Sequence, residues 1–79
     1  MYKNKKIFIL GMARSGYEVA KLLATDNEIL ITDMKEQDNE KIKELEGLGV
    51  SFILSNTPEE LLDNSFDIMI KNPGIKYDH

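Results

Sequence analysis

Cysteine is absent from the 79 residues, which excludes disulfides, thiolate metal sites, iron–sulfur clusters and cysteine nucleophiles. The one histidine is the last residue, His79, so a His-ligated metal site and a buried Ser–His–Asp triad are excluded too. An excess of basic residues is also missing. The formal net charge is −4, whereas general nucleic-acid binding needs a basic face. No apolar run approaches the ~18 residues of a transmembrane span. The basic start is followed by only four consecutive apolar residues, 7–10, too few for the apolar part of a secretion signal. What is present, 42% hydrophobic and 30% charged residues, suits an ordinary globular chain. The chain reads as cytosolic, with no membrane or nucleic-acid partner. It has one small domain over 1–79 and is too short to be a complete enzyme.

Hydrophobic spacing gives the elements. Ile7, Phe8, Ile9 and Leu10 form a continuous run stopped by Gly11, which predicts a strand buried on both faces. Helical spacing follows from Ser15 to Ala24, with Val19, Ala20, Leu22, Leu23 and Ala24 as the apolar stripe. Residues 28–32 predict a second buried strand ending at Asp33, and the polar residues 35–39 a loop. A second helix is expected over 40–48, carrying Ile42, Leu45 and Leu48, with Gly49 free to adopt a left-handed conformation at its end. Residues 50–54 predict a third strand. Thr57, Pro58 and Glu60 have the spacing of a capping box opening a short helix through Leu62. A fourth strand, 66–70, is closed by Asn72-Pro73-Gly74. This βαβαβαβ alternation predicts an α/β fold: a Rossmann-like three-layer domain of about four parallel strands with helices on both faces. A strand order of 3-2-1-4 would place the first loop at the centre of the carboxyl edge.

That edge collects the candidate chemistry. Gly11-Met12-Ala13-Arg14-Ser15-Gly16 has the form G-x-A-x-x-G, a glycine-rich turn leading into a helix N-terminus, where free N–H groups favour an anion. Ala13 stands where a dinucleotide fingerprint has its second glycine, crowding a closely wrapped dinucleotide but still allowing a diphosphate. Asp33, 22 positions after Gly11, is placed to accept ribose hydroxyls or to read a base edge. Lys71-Asn72-Pro73-Gly74 is either a rigid strand-ending turn or part of a binding cleft. Arg14, Lys35 and Lys71 gather three cations at the carboxyl ends of strands, which suits an anionic ligand. A turn that binds nothing, a capping aspartate and solvated lysines are compatible with the same residues taken singly. An NAD(H)-binding domain of a dehydrogenase and a nucleotide-sensing regulatory module are compatible with them taken together.

In combination these residues are more specific. The glycine loop with its following helix, Thr32-Asp33, Glu60-Leu61-Leu62-Asp63, and above all Lys71-Asn72-Pro73-Gly74-Ile75 with Tyr77-Asp78 behind it resemble the N-terminal domain of the Mur ligases. The nearest branch is the one that adds D-glutamate, and the resemblance spans the whole chain. It implies a domain that holds the UDP part of UDP-N-acetylmuramoyl-L-alanine. The loop matching Met12, Ala13, Arg14 and Ser15 would give N–H groups to the diphosphate. Asp33, Met34 and Lys35 would cradle the uracil, and Asn72, Pro73 and Gly74 would line the same cleft. The implied parent is a bacterial cytoplasmic enzyme of cell-wall synthesis using ATP and Mg²⁺. In it the muramoyl-alanine carboxylate becomes an acyl phosphate that the amine of D-glutamate attacks. In that family the ATP-binding P-loop and the Mg²⁺ ligands lie in a central domain, and a C-terminal domain completes the D-glutamate site. These residues contain neither, and Gly11–Gly16 lacks the Lys-Ser/Thr ending of a P-loop. The resemblance therefore implies a fragment with no catalytic residue, metal or cofactor of its own, inactive alone and cut before a further strand.

Overall fold

A computed structural model describes residues 2–71 and, of residues 13–15, only the backbone. Strand β1 (Lys6–Leu10) buries Ile7, Phe8 and Ile9 completely and Leu10 almost so. A strand with no polar side belongs at the centre of a sheet covered on both faces. It lies there, paired in parallel with β2 (Glu28–Asp33) on one side and β4 (Ile68–Lys71) on the other. Strand β3 (Ser51–Leu54) adds outside β2, so the order is β3-β2-β1-β4, the order expected above.

Helices α1 (Ala13–Leu23) and α2 (Asn39–Gly47) cover one face of the sheet. Ala20 and Leu23 of α1 and Leu45 of α2 join Ile7, Ile9, Ile29 and Ile31 in one buried cluster. Strand alternation puts these isoleucines on a shared face. Each fully buried side chain of this size contributes roughly 1.5–3 kcal/mol, so this layer anchors the domain. Leu22, expected in the apolar stripe, is 63% exposed. At about 100° per residue it points well away from both Ala20 and Leu23. Leu48 is exposed as well, because α2 ends at Gly47 and Leu48 is its cap residue. Gly49 takes φ +90°, the left-handed conformation expected after the helix.

The third layer is thin. The connection from β3 to β4 carries one 3₁₀ turn (Pro58–Leu61) in place of the expected capping-box helix. The two side chains of the box bond to each other, Thr57 Oγ1 donating to Glu60 Oε2 at 3.1 Å, so the Thr57 side chain caps no backbone N–H. The Thr57 N–H goes instead to Ser55 Oγ at 3.1 Å. Phe66 covers the centre of this face, meeting Phe8 edge-to-face with centroids 5.2 Å apart. Lys6 Nζ lies 4.6 Å from the Phe66 centroid and 2.6 Å from Ser65 Oγ. A cavity of about 350 Å³ lies between sheet and turn, lined in part by Leu30, Ile53, Leu61 and Phe66. The turn Asn72-Pro73-Gly74 and the further strand expected after it lie outside the described residues.

Candidate functional site

The register aligns the strand ends. Leu10 pairs with Thr32 on one side and Lys71 on the other, and Asp33 pairs with Leu54. The chain segments after β1, β2 and β3 therefore leave the sheet along one edge, as the topology predicted. Between β1 and α1 the chain reverses within two residues. Gly11, buried and at φ +95°, makes the turn in a region that side-chain-bearing residues rarely adopt. Met12 follows in helical conformation, and its side chain is 2% exposed within the core cluster. Met12 thus offers the edge its backbone rather than its side chain. Gly16 is buried in the first turn and a half of α1.

Strand β2 ends in a hydrogen-bond hub. The Gly11 N–H donates to the Thr32 carbonyl at 2.7 Å. The Met12 N–H donates to Asp33 Oδ2 at 2.9 Å, and the Lys35 N–H donates to Asp33 Oδ1 at 3.0 Å. The Ser55 N–H donates to the Asp33 carbonyl at 2.9 Å. Half-buried Asp33 thus touches three loops at once, with each carboxylate oxygen on a backbone N–H. Spacing located this carboxylate but not its partners. The parts played by the Thr32 carbonyl and the Ser55 N–H were not foreseen from the sequence, since a main-chain carbonyl or N–H leaves no mark in residue type. The buried Thr32 hydroxyl has no hydrogen-bond partner among the described residues.

The two helix N-termini differ. An α-helix leaves the N–H groups of its first turn without partners inside the helix. In α2 they are met by Asp38, whose Oδ1 accepts from the N–H groups of Glu40 at 2.8 Å and Lys41 at 3.4 Å. In α1 the cap position is Met12, with no side-chain cap and no acidic residue in the first turn. Asp33 takes the Met12 N–H at the cap; the N–H groups beyond it, in a first turn with no acidic residue of its own, face the carboxyl edge and favour an anion from outside. Ala13, Arg14 and Ser15 form that turn. Met34 and Lys35 are exposed just beyond Asp33, and exposed Lys71 ends β4 beside Leu10. The edge thus unites Gly11, Met12, Asp33, Met34, Lys35 and Lys71 with the opening of α1. Asn72, Pro73 and Gly74 fall outside the described residues. Among the described residues no group of three or more His, Asp or Glu side chains is arranged to hold a metal ion.

No protein-family profile matches the chain. Curated proteins do. Over 78 residues, 96% of this chain, it is 42% identical to the UDP-N-acetylmuramoylalanine–D-glutamate ligase of Lacticaseibacillus casei (strain BL23). Over 79 residues, 98% of this chain, it is 44% identical to the ligase of the same name from Enterococcus hirae. The corresponding protein of Geobacillus sp. (strain WCH70) is 40% identical over 78 residues. The chain spans 17% of the length of each of these relatives and is similar to their N-terminal region. Among solved structures, an N-terminal ketoreductase from a macrolactin assembly line is 26% identical over 70% of this chain and 13% of its own, with a TM-score of 0.48.

Proposed function

We propose that this chain is the UDP-holding N-terminal part of an ATP-dependent ligase that joins D-glutamate to UDP-N-acetylmuramoyl-L-alanine. The observation that carries the reading is the carboxyl edge itself. There, a glycine turn delivers a helix N-terminus without a side-chain cap to the centre of the sheet, flanked by Lys35 and Lys71. Similarity over nearly the whole chain to ligases whose name contains a UDP-linked substrate supports the choice of nucleotide.

In this reading the diphosphate sits on the N–H groups of the first turn of α1, where dipole and hydrogen bonds act together. Lys35 and Lys71 add positive charge to the edge, a contribution that falls as salt is raised. The uracil lies along Asp33, Met34 and Lys35, and the resemblance adds Asn72, Pro73 and Gly74 to the same site. ATP supplies the phosphoryl group that activates the substrate carboxylate for attack by the amine of D-glutamate. The residues for that step, and for Mg²⁺, belong to the remaining length of the ligase. This chain's task is to fix one end of the substrate.

An NAD(H) domain would use the same edge differently, with the acidic residue at the end of the second strand on a ribose diol. The backbone N–H groups that donate to both Asp33 oxygens argue against that use. Calorimetric titration separates the two: UDP is expected to bind and NADH to bind at least tenfold more weakly. A preference for NADH would overturn the reading.

A further inference from the structure

We propose that Asp33 is a positioning residue: its carboxylate clamps the β1–α1 and β2–α2 loops into one rigid edge and does not serve as an acceptor for ligand hydroxyls. The proposal takes its ligand from the UDP reading, whereas the clamp itself is a property of the free chain.

Four hydrogen bonds converge on Thr32 and Asp33 from three loops. Gly11 and Met12 donate from the first, Lys35 from the second and Ser55 from the third. Two of the four end on the carboxylate, one on each oxygen, at 2.9 and 3.0 Å. Hydrogen bonds to a charged acceptor are about twice as strong as neutral ones, and these two lie at the roots of the loops. A ligand hydroxyl seeking either oxygen would have to share it with a backbone N–H that shapes the site. The charge argument points the same way. A carboxylate beside a diphosphate site repels the ligand, so a direct role in anion binding is unfavourable. Held against two N–H groups, the same carboxylate sets where the opening of α1 and the backbone of Lys35 stand relative to each other. The Met12 N–H is committed to this clamp, and the N–H groups after it remain to face the ligand.

The test uses Asp33→Asn, which keeps the volume but leaves one acceptor oxygen and sets an NH₂ against one of the two N–H groups. In the free chain, the amide signals of both Met12 and Lys35 are expected to shift and to exchange with solvent faster, while those of β1 and β2 stay in place. If Met12 and Lys35 are unmoved, or only one of them responds, the clamp is refuted.

Binding of inorganic pyrophosphate then gives a sign that a merely structural or ligand-contacting role would not. Removing a nearby negative charge should by itself tighten pyrophosphate binding. A residue bonded only to ribose would affect UDP and leave pyrophosphate unchanged or tighter. Positioning predicts that both weaken, by about tenfold, the scale of one charge-assisted hydrogen bond. Tighter or unchanged pyrophosphate binding overturns the proposal.

Should the variant not fold, the wild-type chain decides. Scalar couplings across the hydrogen bonds from the Met12 and Lys35 amide nitrogens to the Asp33 carboxyl carbon are expected before and after saturation with UDP. Loss of either coupling on adding UDP would show the carboxylate turning to the ligand and contradict the clamp. If UDP and pyrophosphate both fail to bind the wild-type chain, the UDP reading falls, and the free-chain amides still decide the clamp.

Discussion

At Gly11 the backbone needs a conformation that any Cβ strains, and the whole strand-to-helix reversal depends on it. Gly11→Ala is expected to cost about 1–3 kcal/mol of stability, read as a lower urea midpoint at unchanged slope. Equal midpoints would show that the turn relaxes freely. A second residue with a measurable signature is Glu44 of α2, which meets α1. The Tyr17 hydroxyl donates to Glu44, and with Lys21 beside it the Glu44 carboxyl is held below its ordinary value of 4.5. A carboxyl with a depressed folded value binds fewer protons than in the unfolded chain. Its stabilisation is therefore present above the unfolded value and lost as pH falls through the folded one. Glu44→Gln should consequently flatten the loss of stability between about pH 5 and 3. Denaturation midpoints across that range check it, and equally steep curves for both proteins would contradict it. Asp33 shows the limit of reading residues from sequence. The interval of 22 positions from Gly11 marked an acidic residue at the strand end, but the same interval serves a ribose ligand and a loop clamp. Only the N–H groups it meets tell them apart.

The elements were more legible than their ends. Continuous apolar runs in β1 and β2 could not be solvent-facing, and the βαβ alternation implied a parallel sheet, which has the expected order. Helix α2 begins at Asn39, one residue before the sequence reading placed it, because Asp38 in a polar stretch caps it. Polarity alone marks such a stretch as a loop. Asp38→Ala should cost about 1 kcal/mol, visible as a lower thermal midpoint, and an unchanged midpoint would mean that the cap contributes nothing. The Thr57–Glu60 pair erred in the other direction. It carries the residue types of a capping box, yet a 3₁₀ turn of four residues with its side chains bonded to each other satisfies them equally. The contrast between the N-termini of α1 and α2 is the element-scale feature on which the proposed function rests. One is closed by its own aspartate, and the other has neither a side-chain cap nor an acid in its first turn.

For the molecule as a whole, net charge and local charge disagree usefully. A chain of net −4 keeps Lys35 and Lys71 at the carboxyl edge beside the opening of α1. One sheet face is firmly covered by two helices, and the other is roofed by Phe66 and a single turn, leaving Ile53 and Met69 41% and 43% exposed. In the proposed reading this chain, which spans 17% of the length of its ligase relatives, grips one end of a substrate while other residues do the chemistry. The most direct measurement is an amide chemical-shift map of the 79-residue chain titrated with UDP. Shifts should concentrate at Gly11, Met12, the first turn of α1 and residues 33–35, leaving the 3₁₀ turn and the amino ends of the strands unmoved. Saturable shifts confined to the cavity under Phe66, or none at the carboxyl edge, would contradict the assignment of that edge to a nucleoside diphosphate.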